Sequence, residues 1–182
     1  HCLKNYNKAI EDATKAIDLN PDDPDNFRLR GWAYHCLKNY NKSIEDATKA
    51  IDLNPEEPDH YNLRGDAYFH LKDYKKAVED ATKAIDLNPD EPTDYQLRSS
   101  ASRALGLGEC IIYQRIADDL EDIKNYLNQA DRYYEKNRII EAIDYYEKVL
   151  SKSSSEIKEI LGNDAMLRIN NRILEYRKMI NS

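Results

Sequence analysis

The chain has 182 residues, 34% of them charged, and a formal net charge of -7 at neutral pH. Residues 1–92 carry 13 Lys and Arg against 19 Asp and Glu, whereas residues 93–182 carry 14 against 15. An acidic chain without a basic stripe is poorly suited to a phosphate backbone, so we expect no nucleic-acid partner. The apolar runs are only a few residues long, which excludes a membrane span or a signal peptide within this sequence.

The first element is a segment that recurs with a period of 34 residues. It reads KNYNKAIEDATKAID at 4–18, KNYNKSIEDATKAID at 38–52 and KDYKKAVEDATKAID at 72–86. A fixed period of this length is typical of a helical solenoid, in which each repeat contacts only its neighbours. Residues 1–4 match residues 35–38 in the middle of a unit, so we interpret the chain as a fragment that begins inside a repeat.

Each full unit, 24–57 and 58–91, predicts two helices. Apolar, aromatic and glycine residues recur at helical spacing in the first half, namely Phe27, Gly31, Tyr34 and Leu37, then Tyr61, Gly65, Tyr68 and Leu71. The second half carries small residues where the two helices must approach closely, namely Ser43, Ala47 and Ala50, then Ala77, Ala81 and Ala84. Pro55 and Pro89 stop the second helix, while Pro58 and Pro92 suit the first turn of the next one. The tyrosines Tyr34, Tyr40, Tyr68 and Tyr74 are interpreted as packing residues.

The pattern of aromatic, Leu and Gly in one helix, Tyr and Ala across the hairpin and a terminal Pro resembles the tetratricopeptide (TPR) repeat. The resemblance implies an all-α fold, a right-handed TPR helical-hairpin solenoid with a C-terminal capping helix or helix pair. The predicted organisation is a partial TPR at 1–23, TPRs at 24–57 and 58–91, a degenerate TPR at 92–122, a divergent TPR at 123–152 and capping helices at 153–182.

Beyond Arg98 the repeat decays. Gly106 and Gly108 replace the usual turn between helices, and the divergent unit is offset from its predecessor by about three residues fewer than 34. We attribute this shortening to the glycine turn. The polar run 151–155 and the pair Gly162-Asn163 are predicted helix breaks, and the last helices are interpreted as a cap, with a partner-binding or dimerising helix as the alternative.

The face of the first helices that is not used for hairpin packing varies from repeat to repeat. The TPR resemblance implies that this face lines a concave groove that holds an extended peptide or a partner helix. The candidate partner-binding residues are Arg28, Trp32, His35, Asn62, Asp66, Phe69, His70, Gln96, Ser100 and Arg103. For Trp32, packing against the adjacent repeat is the alternative to a groove contact.

The EDATKAI segments most resemble TPRs of chaperone-binding adaptors, which grip a C-terminal carboxylate with Lys, Asn and Arg on successive first helices. The corresponding positions here hold Arg28 and Trp32, then Leu63, then Thr93 and Leu97. Only Arg28 is basic, so a carboxylate clamp is not supported in this register.

No phosphate loop, nucleophile elbow or metalloprotease motif is present, so we predict a non-enzyme without cofactor or metal. His1-Cys2 and His35-Cys36 are neighbours on a helix and diverge by about 100°, which makes each pair a poor chelator. Three cysteines do not form a disulfide framework, and we expect a reducing, cytoplasmic setting.

Two functions remain from the sequence. The first is a protein-interaction scaffold or adaptor that binds a protein or peptide segment in the groove. The second is a regulatory or targeting region of a larger enzyme, or a chaperone-tail-binding co-chaperone. Self-association through exposed solenoid ends is a further possibility.

Overall fold

The computed structural model describes the backbone of residues 2–180 and the side chains of residues 5–162 and 165–180. Within this range the secondary structure consists of helices without strands. The helices are α1 Cys2–Leu19, α2 Pro24–Cys36, α3 Tyr40–Leu53, α4 Pro58–His70, α5 Tyr74–Leu87, α6 Pro92–Ala104, α7 Cys110–Glu135, α8 Ile139–Lys152, α9 Ser155–Leu161 and α10 Asn163–Ile180. The predicted all-α fold is confirmed, while His1 and the side chain of Cys2 lie outside the described residues.

The chain divides into two compact units. The first comprises the residues up to Asn88 together with Thr93–Tyr113, and the second comprises Pro89–Pro92 with Gln114 onward. In the first unit α2 pairs with α3 and α4 pairs with α5 as helical hairpins, and α2 also contacts α4 of the next repeat.

The helix ends follow the residues that the sequence singled out. Proline occupies the first position of α2, α4 and α6, where its missing N–H would have no helical partner. The carboxylate of Asp73 accepts a hydrogen bond from the backbone N–H of Lys76 at the start of α5, and Asn39 caps α3 in the same way. At their other ends α3 and α5 stop at Leu53 and Leu87, directly before the Asn-Pro pairs.

The turn inside each hairpin contains one residue with positive φ. These residues are Lys38 at 60°, Lys72 at 64°, Gly106 at 73° and Asn137 at 58°. The first three are 34 residues apart, whereas Asn137 follows Gly106 by only 31. The glycine turn also has five residues, 105–109, against three in the earlier hairpins, so our attribution of the shortening to that turn is wrong.

The shortening lies in α7 instead. The earlier units have a four-residue loop between repeats, from Asn54 to Glu57 and from Asn88 to Glu91. Between Cys110 and Glu135 there is no Gly or Pro, so nothing ends the helix and the inter-repeat loop is absent. The predicted boundary between residues 122 and 123 thus falls inside one continuous helix.

Small residues form the core of the first unit, as predicted. Ala33, Ala47 and Ala50 are fully buried between α2 and α3, and their equivalents in the next hairpin are buried in the same way. A Cβ added to Gly31 would lie 3.2 Å from Asp46 Cβ and 3.2 Å from Leu63 Cδ2. Both the partner helix of the hairpin and the next repeat lie in close contact with this glycine. Even one added methyl group would therefore displace a neighbouring side chain.

A repeated ion pair joins the two helices of the α2–α3 and α4–α5 hairpins. Arg30 donates to Asp46 from Nε at 2.8 Å and from Nη2 at 2.7 Å, and its Nη1 donates to Thr14 of α1 at 3.3 Å. Arg64 makes the same contacts with Asp80 and with Thr48 of α3. In both arginines the carboxylate hydrogen bonds raise the pKa of the guanidinium above its usual value.

The C-terminal helices of the second unit fit the predicted cap. One face of α10 is buried, through Met166, Ile169, Ile173 and Tyr176, and this helix packs against α8 and α9. The break between α9 and α10 lies at Gly162, whose φ of 79° ends α9 as the sequence predicts. On the opposite face Leu167 and Leu174 remain more than half exposed.

Candidate partner-binding groove

Two cavities lie side by side along the first helices of the first unit. The first, of about 350 Å³, lies between α2 and α4 and is lined by Arg28, Trp32, His35, Asp59, Asn62, Leu63 and Asp66. The second, of about 300 Å³, lies between α4 and α6 and is lined by Asn62, Asp66, Phe69, Thr93, Gln96, Leu97 and Ser100. Asn62 and Asp66 line both cavities, which makes them parts of one groove.

Eight of the ten candidate binding residues line this groove. The two that do not are His70, at the C-terminal end of α4, and Arg103, which is exposed near the end of α6. The structure thus brings together the residues that differ between repeats, because equivalent positions on parallel first helices are neighbours in a stacked array.

Trp32 presents half of its surface to solvent and also touches the preceding helix. Its side chain is 50% exposed, and its ring lies edge-on to Tyr6 with centroids 5.5 Å apart. Packing and groove exposure are therefore combined in one residue. Beside it, the Arg28 guanidinium is held by Asp25 at 3.2 Å.

A cluster of polar rings lies at the C-terminal ends of α2 and α4. His35 Nε2 is 2.9 Å from Asp66 Oδ2, and His70 Nε2 is 3.8 Å from Asp66 Oδ1. Tyr40 stacks on His70 with centroids 4.8 Å apart and lies edge-on to His35 at 5.2 Å. Tyr40 is thus a packing residue, as predicted, but what it supports is this cluster.

A buried carboxylate fixes the floor between α4 and α6. Asp94 is almost fully buried, and Asn62 Nδ2 donates a hydrogen bond to its Oδ1. The amide of Asn62 is therefore oriented by a partner on the next first helix. Asp94 does not stand out in the sequence, because an acidic residue in the first turn of a helix is common and has a local explanation.

Leu63 and Leu97 occupy two of the positions that hold the carboxylate clamp in chaperone-binding TPRs, and both are packing residues here. A Cβ on Gly31 would lie 3.2 Å from Leu63 Cδ2, and one on Gly65 would lie 3.1 Å from Leu97 Cδ2. Both leucines are buried against the preceding repeat. They offer no hydrogen-bond donor to a carboxylate, in agreement with the absence of a clamp in this register.

Every helix between residues 2 and 180 is too short or too polar to cross a lipid bilayer.

Family models described as tetratricopeptide repeat match residues 3–23, 24–57, 58–91 and 123–151, which together are more than half of the sequence. The chain belongs to the tetratricopeptide repeat family. No curated protein sequence matches it significantly.

Solved structures of other proteins share the fold. The crystal structure of MamA has a TM-score of 0.61 at 22% identity, covering 85% of this chain and 92% of that one. MamA from residue 41 to the end, from Desulfovibrio magneticus RS-1, has a TM-score of 0.61 at 20% identity, with coverages of 84% and 89%. TTC0263, a thermophilic TPR protein of Thermus thermophilus, has a TM-score of 0.59 at 20% identity, with coverages of 95% and 93%. At these identities the likeness shows the fold alone, which is typical of protein-interaction scaffolds.

The contact between His35 and His70 was not expected from the sequence. Equivalent positions are 34 residues apart and neighbours on one helix face are three or four apart, whereas these two histidines are 35 apart. The spacing of Asp66 and His70 could have indicated this cluster. Residues four apart share a helix face, and this face of α4 points to the preceding first helix, α2.

Proposed function

We propose that this TPR protein is a scaffold or adaptor that binds an extended segment of a partner protein along α2, α4 and α6. The observation that carries the proposal is the pair of adjoining cavities that share Asn62 and Asp66. A segment laid across three first helices contacts both cavities in succession. This mode of recognition uses pockets for alternate side chains to give specificity.

The groove chemistry favours a segment with apolar and basic side chains. Trp32 and Phe69 supply aromatic surface, one in each cavity, and aromatic residues commonly dominate binding energy at interfaces. Asp59 and Asp66 supply carboxylates in a repeat array that is acidic as a whole. Arg28 and Asn62 add donors for backbone carbonyls or side-chain oxygens of the segment.

A peptide library displayed on phage and selected on the intact chain tests the proposal. Selected peptides should be enriched in Lys or Arg next to an apolar residue. Because Trp32 is the sole tryptophan, its fluorescence reports binding directly. We expect Arg28→Ala with Trp32→Ala, measured with labelled peptide, to weaken binding about 30-fold or more, as for an interface Trp worth ~2 kcal/mol.

The matched control is Glu45→Ala with Lys49→Ala, two exposed positions on α3 away from both cavities. This variant should bind as the wild type does. If the groove variant keeps full affinity while its circular dichroism is unchanged, the segment binds elsewhere and the proposal is wrong.

A further inference from the structure

We propose that His35, Asp66 and His70 form a binding site for a divalent transition-metal ion that bridges α2 and α4. Each residue offers one ligand atom, and the three atoms lie within 4.8 Å of one another. His35 and Asp66 also line the groove, but the metal proposal does not rest on segment binding there.

The spacing of the ligand atoms suits a small ion. A tetrahedral ion with bonds of about 2.0–2.1 Å separates its ligands by about 3.3 Å. The distances from the Asp66 oxygens to the two imidazole Nε2 atoms, 2.9 Å for His35 and 3.8 Å for His70, lie on either side of that value. Because the three ligand atoms lie within 4.8 Å of one another, side-chain rotations need to shorten the widest separation by at most about 1.5 Å.

The orientation of His35 supports the same conclusion. Its Nε2 lies close to Asp66 Oδ2, yet the pair lacks hydrogen-bond geometry, and this buried nitrogen has no hydrogen-bond partner among the described residues. A buried nitrogen without a partner is costly. A nitrogen and an oxygen that converge without a hydrogen bond between them can share a cation.

The ligands stand on a rigid frame. Asp66 and His70 are one turn apart on α4 and share a face, while His35 comes from the last turn of α2. Tyr40 contacts both imidazole rings and restricts their orientation. Preorganised ligands lose little conformational entropy when an ion binds.

The donor set selects the class of metal. Two imidazole nitrogens and one carboxylate oxygen suit Zn²⁺, Co²⁺, Ni²⁺ or Cu²⁺, whereas Mg²⁺ and Ca²⁺ prefer oxygen ligands. His35 is 18% exposed, whereas the side chains of Asp66 and His70 are 40% and 43% exposed. Three protein ligands and this solvent access leave a fourth position for water.

The site is specific to one interface in the array. One repeat later, the positions of His35, Asp66 and His70 are Phe69, Ser100 and Ala104. None of these three is a ligand for a transition metal. The interface between α4 and α6 therefore lacks the site that we propose between α2 and α4.

Calorimetric titration of the untagged, chelator-treated intact chain with ZnCl₂ tests the site. We expect one ion bound at this site, a higher thermal midpoint with Zn²⁺, and tetrahedral visible absorption bands with Co²⁺ as the probe. His70→Gln and Asp66→Asn should each weaken Zn²⁺ binding ~10-fold or more and remove the Zn²⁺-dependent rise in midpoint.

Two matched variants keep the test specific. Asp59→Asn removes the same charge from the same cavity and should leave Zn²⁺ affinity unchanged. Cys36→Ser should also bind Zn²⁺ normally, because its thiol is not in the ligand cluster. Equal Zn²⁺ affinity in wild type, His70→Gln and Asp66→Asn would overturn the proposal, as would loss of binding in Cys36→Ser.

Discussion

Arg64 donates two parallel hydrogen bonds to the Asp80 carboxylate, at 2.9 Å from Nε and at 2.8 Å from Nη2. The Asp80 side chain is only 8% exposed. Such a fork fixes both distance and angle between α4 and α5. The pair therefore specifies which faces of the two helices meet, whatever its net contribution to stability.

Asp80→Asn leaves a charged guanidinium at the helix interface without its carboxylate. We expect unfolding free energy to fall by about 3 kcal/mol, the lower end for a broken buried pair, because Arg64 retains some solvent contact. Urea unfolding followed by circular dichroism measures it. The same substitution at the exposed Asp25, paired with Arg28, should cost less than about 1 kcal/mol. Equal losses at both positions would contradict the structural role of the fork.

Lys72→Gly should stabilise the protein. Lys72 has a φ of 64°, a conformation that costs an L-residue with a side chain roughly 1–2 kcal/mol and costs glycine little. After the entropy that glycine adds to the unfolded chain, we expect a gain of about 0.5–1 kcal/mol in urea unfolding. Lys83→Gly, at an exposed position in the interior of α5, should instead lose about 1 kcal/mol. A loss at both positions would contradict the turn assignment.

Ala47→Leu should destabilise the first unit. Ala47 is fully buried between α3 and its neighbours, and a larger side chain there forces backbone shifts that commonly cost ~1–3 kcal/mol. The thermal midpoint should fall accordingly. Lys49→Leu, two residues further along the same helix but exposed, should change the midpoint little. An unchanged midpoint in Ala47→Leu would show that the hairpin register differs.

Adjacent residues in α10 should respond differently to truncation. Ile173 is buried within the second unit, so Ile173→Ala should cost about 2–4 kcal/mol. Leu174 is more than half exposed, and Leu174→Ala should cost well under ~1 kcal/mol. Hydrogen exchange of α8 and α10 amides would localise the loss. Similar costs would mean that α10 covers α8 with another face.

Tyr146 should make the second unit less stable in alkali. Burial, assisted by its hydrogen bond to Asp131, raises the pKa of this tyrosine well above its usual value of about 10. Below that value both folded and unfolded states are protonated, and its contribution to stability is complete. As the pH rises further the unfolded state releases its proton first, so stability falls.

Tyr146→Phe isolates this effect from the titration of other groups. The variant loses the hydrogen bond to Asp131 and should be less stable than wild type near neutral pH. The difference between the two proteins in urea unfolding should shrink above pH ~10. A constant difference across that range would show that Tyr146 does not titrate as the buried geometry requires.

The hairpins could be predicted from the sequence because their signals are local. Pro58 marks a helix start and Asn54 with Pro55 marks a helix end, whatever surrounds them. The TPR resemblance implied the groove, and the period aligned its residues, since residues 34 apart on equivalent helices become neighbours. Asn62 and Asp66 were placed in this way.

The remaining features depend on contacts between residues that are far apart in the sequence. Arg30 and Asp46 belong to different helices and each resembles an ordinary solvated charge when seen alone. His35 and His70 lie on different first helices, and their ring centroids are 5.4 Å apart only in the folded array. The helix α7 is continuous because it contains no Gly or Pro that would end it, and the absence of such a residue is harder to notice in a sequence than its presence.

The two arginine forks also determine how a disturbance spreads along the array. Each guanidinium touches three helices: its own, its hairpin partner and the second helix of the preceding repeat, through Thr14 for Arg30 and Thr48 for Arg64. Opening one hairpin therefore weakens the next. The series ends at Arg98, because the position equivalent to Asp46 and Asp80 is Gln114. The Arg98 guanidinium lies 4.0 Å from the centroid of the Tyr113 ring and 3.8 Å from Glu109 Oε1 instead. We therefore expect α1 to α5 to unfold together, because the side chains of Arg30 and Arg64 are shared between neighbouring repeats.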